Sequence, residues 1–441
     1  MLKDKLKKLF WKLPLSSKTK NVLSASRYER ILAREAAADA SYDIKVNKDG
    51  ALVREYAEYV LSGCGRRSNY YRKYIDHEPG GRNVTLVAYY LTQYHPNRYN
   101  DEWWGKGTTE WNNVDQAVPQ FTGHYQPRCP GELGYYDLRV DAVMKRQVEL
   151  AKNYGIGAFC FYYYWFNGKR LLEYPLNKFL ANPELDMPFF YCWANENWTK
   201  RFSGTNMDVL MAIEPTVESY QNFIESVLSD LADSRYYRIA GKPVISIYRP
   251  SMVPDTEKVL EYWRHRVREE LGCNLYVIAI QERDASTDWV ARGYDAESEF
   301  QPKQVEHSCK NITRDVHPIR MDFSGNVYDY EDLVQNRRYL SKANQAKKVY
   351  PTVMPMWDNT ARRNHRGTIF YGSTPELYRR WLLDTIKRVE NRNDLDEKLV
   401  FINAWNEWGE GAYLEPDRFF GYAYLEATWM ALHDADEEHP R

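Results

Sequence analysis

The chain has 441 residues, enough for one large barrel domain or two ordinary domains. Its 60 Lys and Arg nearly balance 61 Asp and Glu, and a pI of 6.8 leaves no basic field to gather phosphates, which excludes nucleic acid as an expected partner. Aromatics make up 15% of the chain, with 36 Tyr and 14 Trp, at a mean hydropathy of −0.69; this mixture suits the apolar faces and hydroxyl rims of sugars, and part of it will be ordinary core.

In chain order, Met1–Lys20 carries seven lysines against one acid, Asp4, with Leu2, Leu6, Leu9, Phe10 and Leu13 at helical spacing. This pattern predicts a basic amphipathic helix, suited to an anionic lipid surface and equally to packing on the parent domain or a partner. A second helix is expected over Ser26–Ala40, before a polar segment at Asn47–Gly50. The turn signal Pro79-Gly80-Gly81 then closes an N-terminal helical extension of residues 1–81.

From residue 82 to 437, short β-rich runs alternate with longer helical patterns, which predicts an α/β architecture with a parallel sheet wrapped by helices. Eight strands are expected, at Thr85–Tyr90, Ile156–Tyr163, Phe189–Trp193, Val244–Tyr248, Leu275–Ile280, Ala296–Phe300, Val349–Met354 and Leu399–Ala404. The sixth is the weakest, because Glu297 and Glu299 interrupt it. Eight strands with helices between them make a (β/α)8 TIM barrel, whose active-site face is built from the loops after the strands' C-terminal ends.

The six cysteines are spread out with no Cys-x-x-Cys pair and no His cluster at zinc spacing, so neither a disulfide framework nor a zinc site is expected. Free thiols point to a cytoplasmic protein, at most peripheral to the inner face of the membrane. No apolar run reaches the length of a membrane span, and the N-terminus lacks the uninterrupted apolar stretch of a signal peptide.

The chemistry is expected where the last strand runs straight into Trp405-Asn406-Glu407-Trp408-Gly409-Glu410-Gly411. Acetal cleavage or exchange needs one carboxyl to protonate the leaving oxygen and a second group to supply electrons at the anomeric centre. Glu407 and Glu410, three residues apart past a strand end, can converge on one site, and their mutual repulsion raises one pKa. An isolated pair at this spacing is usually a solvated helix face; the strand-end position and the flanking tryptophans set this one apart.

From Thr85 to Ala431 the chain resembles the WbsX-like polysaccharide-biosynthesis proteins, which are related to glycoside hydrolase family 99, the endo-α-mannosidase-like enzymes. The resemblance rests on Tyr89-Tyr90-Leu91-Thr92-Gln93-Tyr94-His95-Pro96, Asp101-Glu102-Trp103-Trp104-Gly105, Thr109-Glu110-Trp111, Gly123-His124-Tyr125-Gln126-Pro127, Phe161-Tyr162-Tyr163-Tyr164-Trp165-Phe166, Trp193-Ala194-Asn195-Glu196-Asn197-Trp198 and Asn406-Glu407-Trp408-Gly409-Glu410-Gly411. It implies a retaining mechanism in which Glu407 draws the proton from the sugar's own 2-hydroxyl, so that O2 attacks the anomeric carbon and forms a 1,2-anhydro sugar. Glu410 would protonate the departing oxygen and then activate water or an acceptor hydroxyl. A glutamate acting as direct nucleophile is the competing route. No cofactor or metal is implied. Tyr248 resembles a family tyrosine near the reacting sugar, and the aromatic and polar members of these motifs would bind substrate: Tyr89, Tyr90, Gln93, His95, Trp103, Trp104, Glu110, Trp111, Tyr162, Trp193, Asn195, Glu196, Asn197, Trp198, Trp405, Asn406 and Trp408. Gly409 departs from the hydrolases, which carry a bulkier polar residue there.

The expected activity is therefore that of a retaining glycoside hydrolase or transglycosidase acting on an oligo- or polysaccharide, such as a surface polysaccharide or its precursor. Two alternatives stand beside it. One is a sugar-nucleotide-dependent glycosyltransferase of O-antigen or polysaccharide biosynthesis, although the Asp394-Leu395-Asp396 match to its metal motif reads more simply as a solvated turn. The other is a non-catalytic glycan-binding barrel, which the presence of both glutamates argues against.

Overall fold

The computed structural model describes residues 66–433 apart from 79, 82, 200–208, 283–285 and 345. The chain divides into two units, 1–58 and 59–441, and the description concerns the second alone. The helices expected at Met1–Lys20 and Ser26–Ala40 and the polar segment at Asn47–Gly50 lie outside the described residues.

Eight parallel strands close into a barrel: β1 (Thr85–Tyr90), β2 (Ile156–Phe166), β3 (Phe189–Trp193), β4 (Lys242–Ile247), β5 (Tyr276–Ile280), β6 (Ala296–Ser298), β7 (Val349–Tyr350 continuing as Thr352–Val353) and β8 (Leu399–Ile402). Closure runs through β7. Its first half pairs with β6 through Glu297↔Val349 and Ser298↔Tyr350, and its second half pairs with β8 through Thr352↔Phe401 and Val353↔Ile402. Pro351 divides the halves because it has no N–H to give a ladder. The remaining neighbours pair in parallel from β8 through β1, β2, β3, β4 and β5 to β6.

Outer helices follow the strands: α1 (Asp141–Asn153), α2 (Tyr174–Ala181), α3 (Val217–Glu225), α4 (Thr256–Leu271), α5 (Tyr330–Gln335), α6 (Pro375–Glu390) and α7 (Ala423–His433). After β5 the helical position holds a single 3-10 turn, Val290–Arg292, among the described residues. The β–α core is aromatic. Phe161 of β2 meets Phe179 of α2 at 5.1 Å between ring centroids, and Trp193 of β3 stacks on Phe223 of α3 at 4.0 Å.

The doubtful sixth strand is explained by its alternation. Phe300, just past β6, packs on Tyr89 inside the barrel, at 5.2 Å, and Ser298 shares that face. Glu297 and Glu299 therefore point the other way. There Glu297 accepts from Gln281 Nε2 at 2.7 Å and the Trp289 N–H at 2.9 Å, and Glu299 accepts from Asn344 Nδ2 at 2.8 Å. Both carboxylates are buried but hydrogen-bonded, which a hydropathy pattern cannot foresee.

The described part of the N-terminal extension lies along the barrel. The Ile75 N–H donates to the Tyr154 hydroxyl at 3.1 Å, and His77 sits 2.9 Å from Glu426 and stacks on Trp429 at 4.0 Å. Cys129 takes part in a disulfide whose partner lies outside the described residues. The expectation of free thiols holds at Cys160, Cys192, Cys273 and Cys309 and is corrected at Cys129. Among the described residues, no helix is long and apolar enough to cross a membrane.

Candidate active site

At the C-terminal end of the barrel an open cleft of about 540 Å³ is lined by residues from loops after most of the strands, including both Glu407 and Glu410. The local fold that presents them is a small hairpin. Asn406–Glu407 pairs antiparallel with Ala412–Tyr413, and Trp408–Glu410 forms a 3-10 turn between them. Gly411 closes the turn at φ 59°, with Asp358 O and Arg128 Nε each 2.9 Å from where a Cβ would stand, so neither the backbone nor the space admits a side chain easily. A glutamate on the hairpin strand and another in its turn thus reach the same wall of the cleft.

One cation joins them. Arg362, in the short helix Thr360–Arg363, directs Nη2 to Glu407 at 2.8 Å, Nη1 to Glu410 at 3.0 Å and Nε to Glu110 at 2.7 Å. Gln93 donates to the other oxygen of Glu110 at 3.1 Å. Burial pushes the Glu407 carboxyl well above the usual range; Arg362 opposes this, and Glu410 and Glu110 add to it. Burial also raises Glu110, again against Arg362. Arg362 stays charged because its three carboxylates outweigh its own desolvation. The site is therefore a cluster of three carboxylates on one guanidinium, with Glu407 nearly enclosed and Glu410 27% exposed at the side chain.

The opposite walls are aromatic. Tyr162 and Tyr164 of β2, Trp198, Tyr248, Phe300 and Trp357 all face the cleft. Tyr164 and Trp198 meet edge to face at 5.1 Å. Lys303 Nζ lies 3.9 Å over the Tyr248 ring, and burial, with Arg249 adding, lowers its ammonium to about 8. Rings and donors in this arrangement match a carbohydrate's C–H faces and hydroxyl oxygens.

Of the residues expected to bind substrate, Gln93, Tyr162, Glu196, Asn197, Trp198 and Tyr248 line the cleft. The others do not, for identifiable reasons. Tyr89, Tyr90, Trp193 and Trp405 are core side chains, and Tyr90 gives its hydroxyl to Gln147 at 2.6 Å. His95 is buried on the Thr92 carbonyl at 2.8 Å, and burial lowers its pKa. Trp103 and Trp104 pack on each other in the loop helix Arg98–Trp104. Trp111 donates to the Tyr136 carbonyl at 2.8 Å and rests against Trp408. Glu110 is fully buried and serves Arg362 instead of a ligand. Asn195 spans the backbone of Arg249, donating to its carbonyl at 2.8 Å and accepting from its N–H at 2.7 Å. Asn406 is turned onto the backbone of Leu91. Trp408 is buried, stacked on Tyr413 at 3.7 Å, with Nε1 donating to Glu415 at 2.7 Å. Glu415 also accepts from Gln147 and Tyr136, so it braces the hairpin from behind and does not close the rim. His124 lies 2.8 Å from the buried Asp358, a structural contact beside the Arg128 guanidinium.

Sequence reasoning missed Tyr164, Arg249, Lys303, Trp357 and Arg362. Tyr164 was within reach, because it shares the β2 face of Tyr162 at a spacing of two. Arg362 and Lys303 carried no signal, since single basic residues in polar loops are indistinguishable from solvated ones. The Asp394-Leu395-Asp396 match precedes β8, at the opposite end of the barrel, where Asp394 pairs with Arg392 at 2.5 Å and Asp396 with Lys348. Among the described residues, no group of three or more His, Cys, Asp or Glu side chains could hold a metal ion.

A sequence profile described as Glycosyltransferase WbsX matches residues 86–428. The protein WxcX of Xanthomonas campestris pv. campestris strain B100, named as uncharacterized, is 41% identical over 351 residues, 79% of this chain and 50% of its own length. The chain thus spans about half the length of the curated relatives it matches. Among solved structures, a glycoside hydrolase-like protein aligns with a TM-score of 0.51 at 16% identity, covering 83% of this chain and 98% of that one. The family 99 endo-alpha-mannosidase of Bacteroides thetaiotaomicron aligns with a TM-score of 0.49 at 13% identity, covering 78% and 96%.

Proposed function

Because the chain belongs to the WbsX glycosyltransferase family, we propose that it is a carbohydrate-active enzyme that cleaves or exchanges a glycosidic bond with retention. The observation that carries this reading is the convergence of Glu407 and Glu410 on one wall of an aromatic cleft at the end of β8. The barrel domain is taken as residues 82–437, and the substrate as an oligo- or polysaccharide, such as a surface polysaccharide or its precursor.

In the proposed mechanism Glu407 accepts the proton of the sugar's 2-hydroxyl while O2 closes on the anomeric carbon, giving a 1,2-anhydro sugar. Glu410, the more exposed of the two, protonates the leaving oxygen. It then takes a proton from water or an acceptor hydroxyl as that oxygen opens the anhydro ring, and retention follows from two inversions. Glu407 must be ionised when the 2-hydroxyl arrives, although its burial favours the protonated form. The Arg362 contact opposes that tendency.

A screen of glycans and activated-sugar donors, read by product mass, tests the reading, with the Glu407→Gln, Glu410→Gln double variant as control. Turnover of a neutral glycan that persists in chelator supports it. The family's description favours a second reading, transfer from a sugar nucleotide, which would show as nucleotide-diphosphate release with sugar transfer. A chain that binds glycan and turns over nothing is the third outcome, a binding barrel. The basic helix expected at Met1–Lys20 would bring the enzyme to an anionic inner membrane face.

A further inference from the structure

Gly409 stands between the two proposed catalytic glutamates. Its backbone does not demand a glycine; its surroundings do. A Cβ at 409 would lie 1.9 Å from Glu110 Oε1 and 2.8 Å from Arg362 Nε. The volume that a side chain would occupy is filled by the Glu110–Arg362 ion pair. Glu110 sits at the start of the helix Trp111–Gln116 and Arg362 in the short helix Thr360–Arg363, far along the chain, and the pair meets directly over the turn that bears Glu410. Gln93, fixed at the end of β1, holds the second oxygen of Glu110.

We infer that Arg362 is the positioning residue of the site: seated against Glu110 in the space that Gly409 leaves open, its guanidinium holds Glu407 and Glu410 in one geometry. The inference rests on the catalytic reading of those two glutamates and adds what aims them. A planar fork reaches three carboxylates in fixed directions, which a lysine ammonium cannot do. Without it, two carboxylates at this spacing would repel and turn apart or share a proton. The groups that face Glu407 are Arg362, Glu410 and Glu110, with the Tyr94 and Tyr164 phenols nearby. Arg362 is the cation among them, so it works against the burial of Glu407 as well as setting its aim. The arginine and the glycine form one unit, and substitution of either should have the same consequence.

The test needs no substrate. The full chain is labelled with 13Cδ-glutamate and titrated by carbon NMR, with the two signals assigned by their loss in Glu407→Gln and Glu410→Gln. In Arg362→Met the Glu407 midpoint should move to higher pH. Arg362→Lys should fall between this variant and the wild type. Gly409→Ala, which displaces Glu110 and with it Arg362, should move the midpoint in the direction of Arg362→Met. Free guanidinium at low concentration should return Arg362→Ala towards the wild-type curve. A folded Arg362→Met that titrates like the wild type overturns the inference. If that variant does not fold, unchanged titration in both Arg362→Lys and Gly409→Ala overturns it equally. A chain that proves to lack glycosyl activity would still answer these arms, so the two readings fail separately. On any donor found active, Arg362→Lys should lower kcat on the order of 100-fold with little change in KM; a change confined to KM would also overturn it.

Discussion

Asn406 closes its side-chain amide on both backbone groups of Leu91, accepting from the N–H at 2.8 Å and donating to the carbonyl at 3.0 Å. The residue before Glu407 is therefore tied to the end of β1 as firmly as a strand partner would tie it. Tyr94 adds a second tie, donating to the Asn406 carbonyl at 2.7 Å and accepting from the Trp408 N–H at 3.0 Å. The hairpin that carries the glutamates is thus held by the backbone of the first strand, and its acids can be altered without loosening it.

Glu407→Gln and Glu410→Gln should each lower turnover by roughly 100- to 10,000-fold while circular dichroism and thermal unfolding stay near wild type. Amide for carboxyl keeps the volume and removes the proton transfer. Donors with weakly basic leaving groups should recover part of the Glu410→Gln loss and none of the Glu407→Gln loss. A folded double variant with full activity would remove both from the mechanism.

A donor lacking the 2-hydroxyl should bind and not react, because the 1,2-anhydro route has no nucleophile without O2. Binding by calorimetry and turnover by product mass separate the two steps. Normal turnover would keep the glycosidase class and replace the anhydro route with direct attack by a glutamate.

Glu415 should make the fold less stable as pH rises. Burial raises its carboxyl to about 7 from an ordinary 4.5. Between those values the folded state binds more protons than the unfolded chain, so stability falls with pH through that window and levels off above it, a loss of up to about 3 kcal/mol. Urea unfolding at pH 4.5 and 7.5 should show a shallower decline in Glu415→Gln than in wild type. Equal slopes would mean that Glu415 does not titrate there.

Asp358 should behave in the opposite sense. Burial works to raise it, but His124, Arg128 and Thr360 outweigh burial and hold it well below the usual range. Its contribution is present above the ordinary aspartate value and is lost as pH falls below it. Asp358→Ala leaves His124 and Gln126 without this acceptor and the buried Arg128 without the Asp358 charge, which should cost on the order of 3–5 kcal/mol of unfolding free energy at neutral pH. A cost under about 1 kcal/mol would place Asp358 among dispensable contacts.

Deletion of Met1–Lys20 should leave unfolding of the barrel unchanged and abolish flotation with anionic liposomes, an association that salt should weaken in the full chain. The seven lysines beside Leu6, Leu9, Phe10 and Leu13 motivate this expectation. Absence of flotation, or flotation indifferent to salt, would assign the helix to protein packing.

The sequence by itself determined the barrel and the wall on which its chemistry is placed. All eight strands were legible, even β6, because buried parallel strands need compact apolar runs and the helices between them need a different period, and both are local properties of the chain. The proposed acids were legible too, since Glu407 and Glu410 follow a strand end within one turn. The tertiary structure alone decided which aromatic and polar residues face the cleft. Tyr89 and Tyr162 look alike as letters on neighbouring strands, yet one is sealed in the barrel and the other lines the cleft. Trp193 and Trp198 divide in the same way, with one stacked under α3 and the other on the cleft wall. The place of Arg362 was beyond any local reading. Its partners Glu110, Glu407 and Glu410 lie far away in the chain, and closure of the barrel is what brings one guanidinium into reach of all three, over a glycine whose missing side chain makes the room.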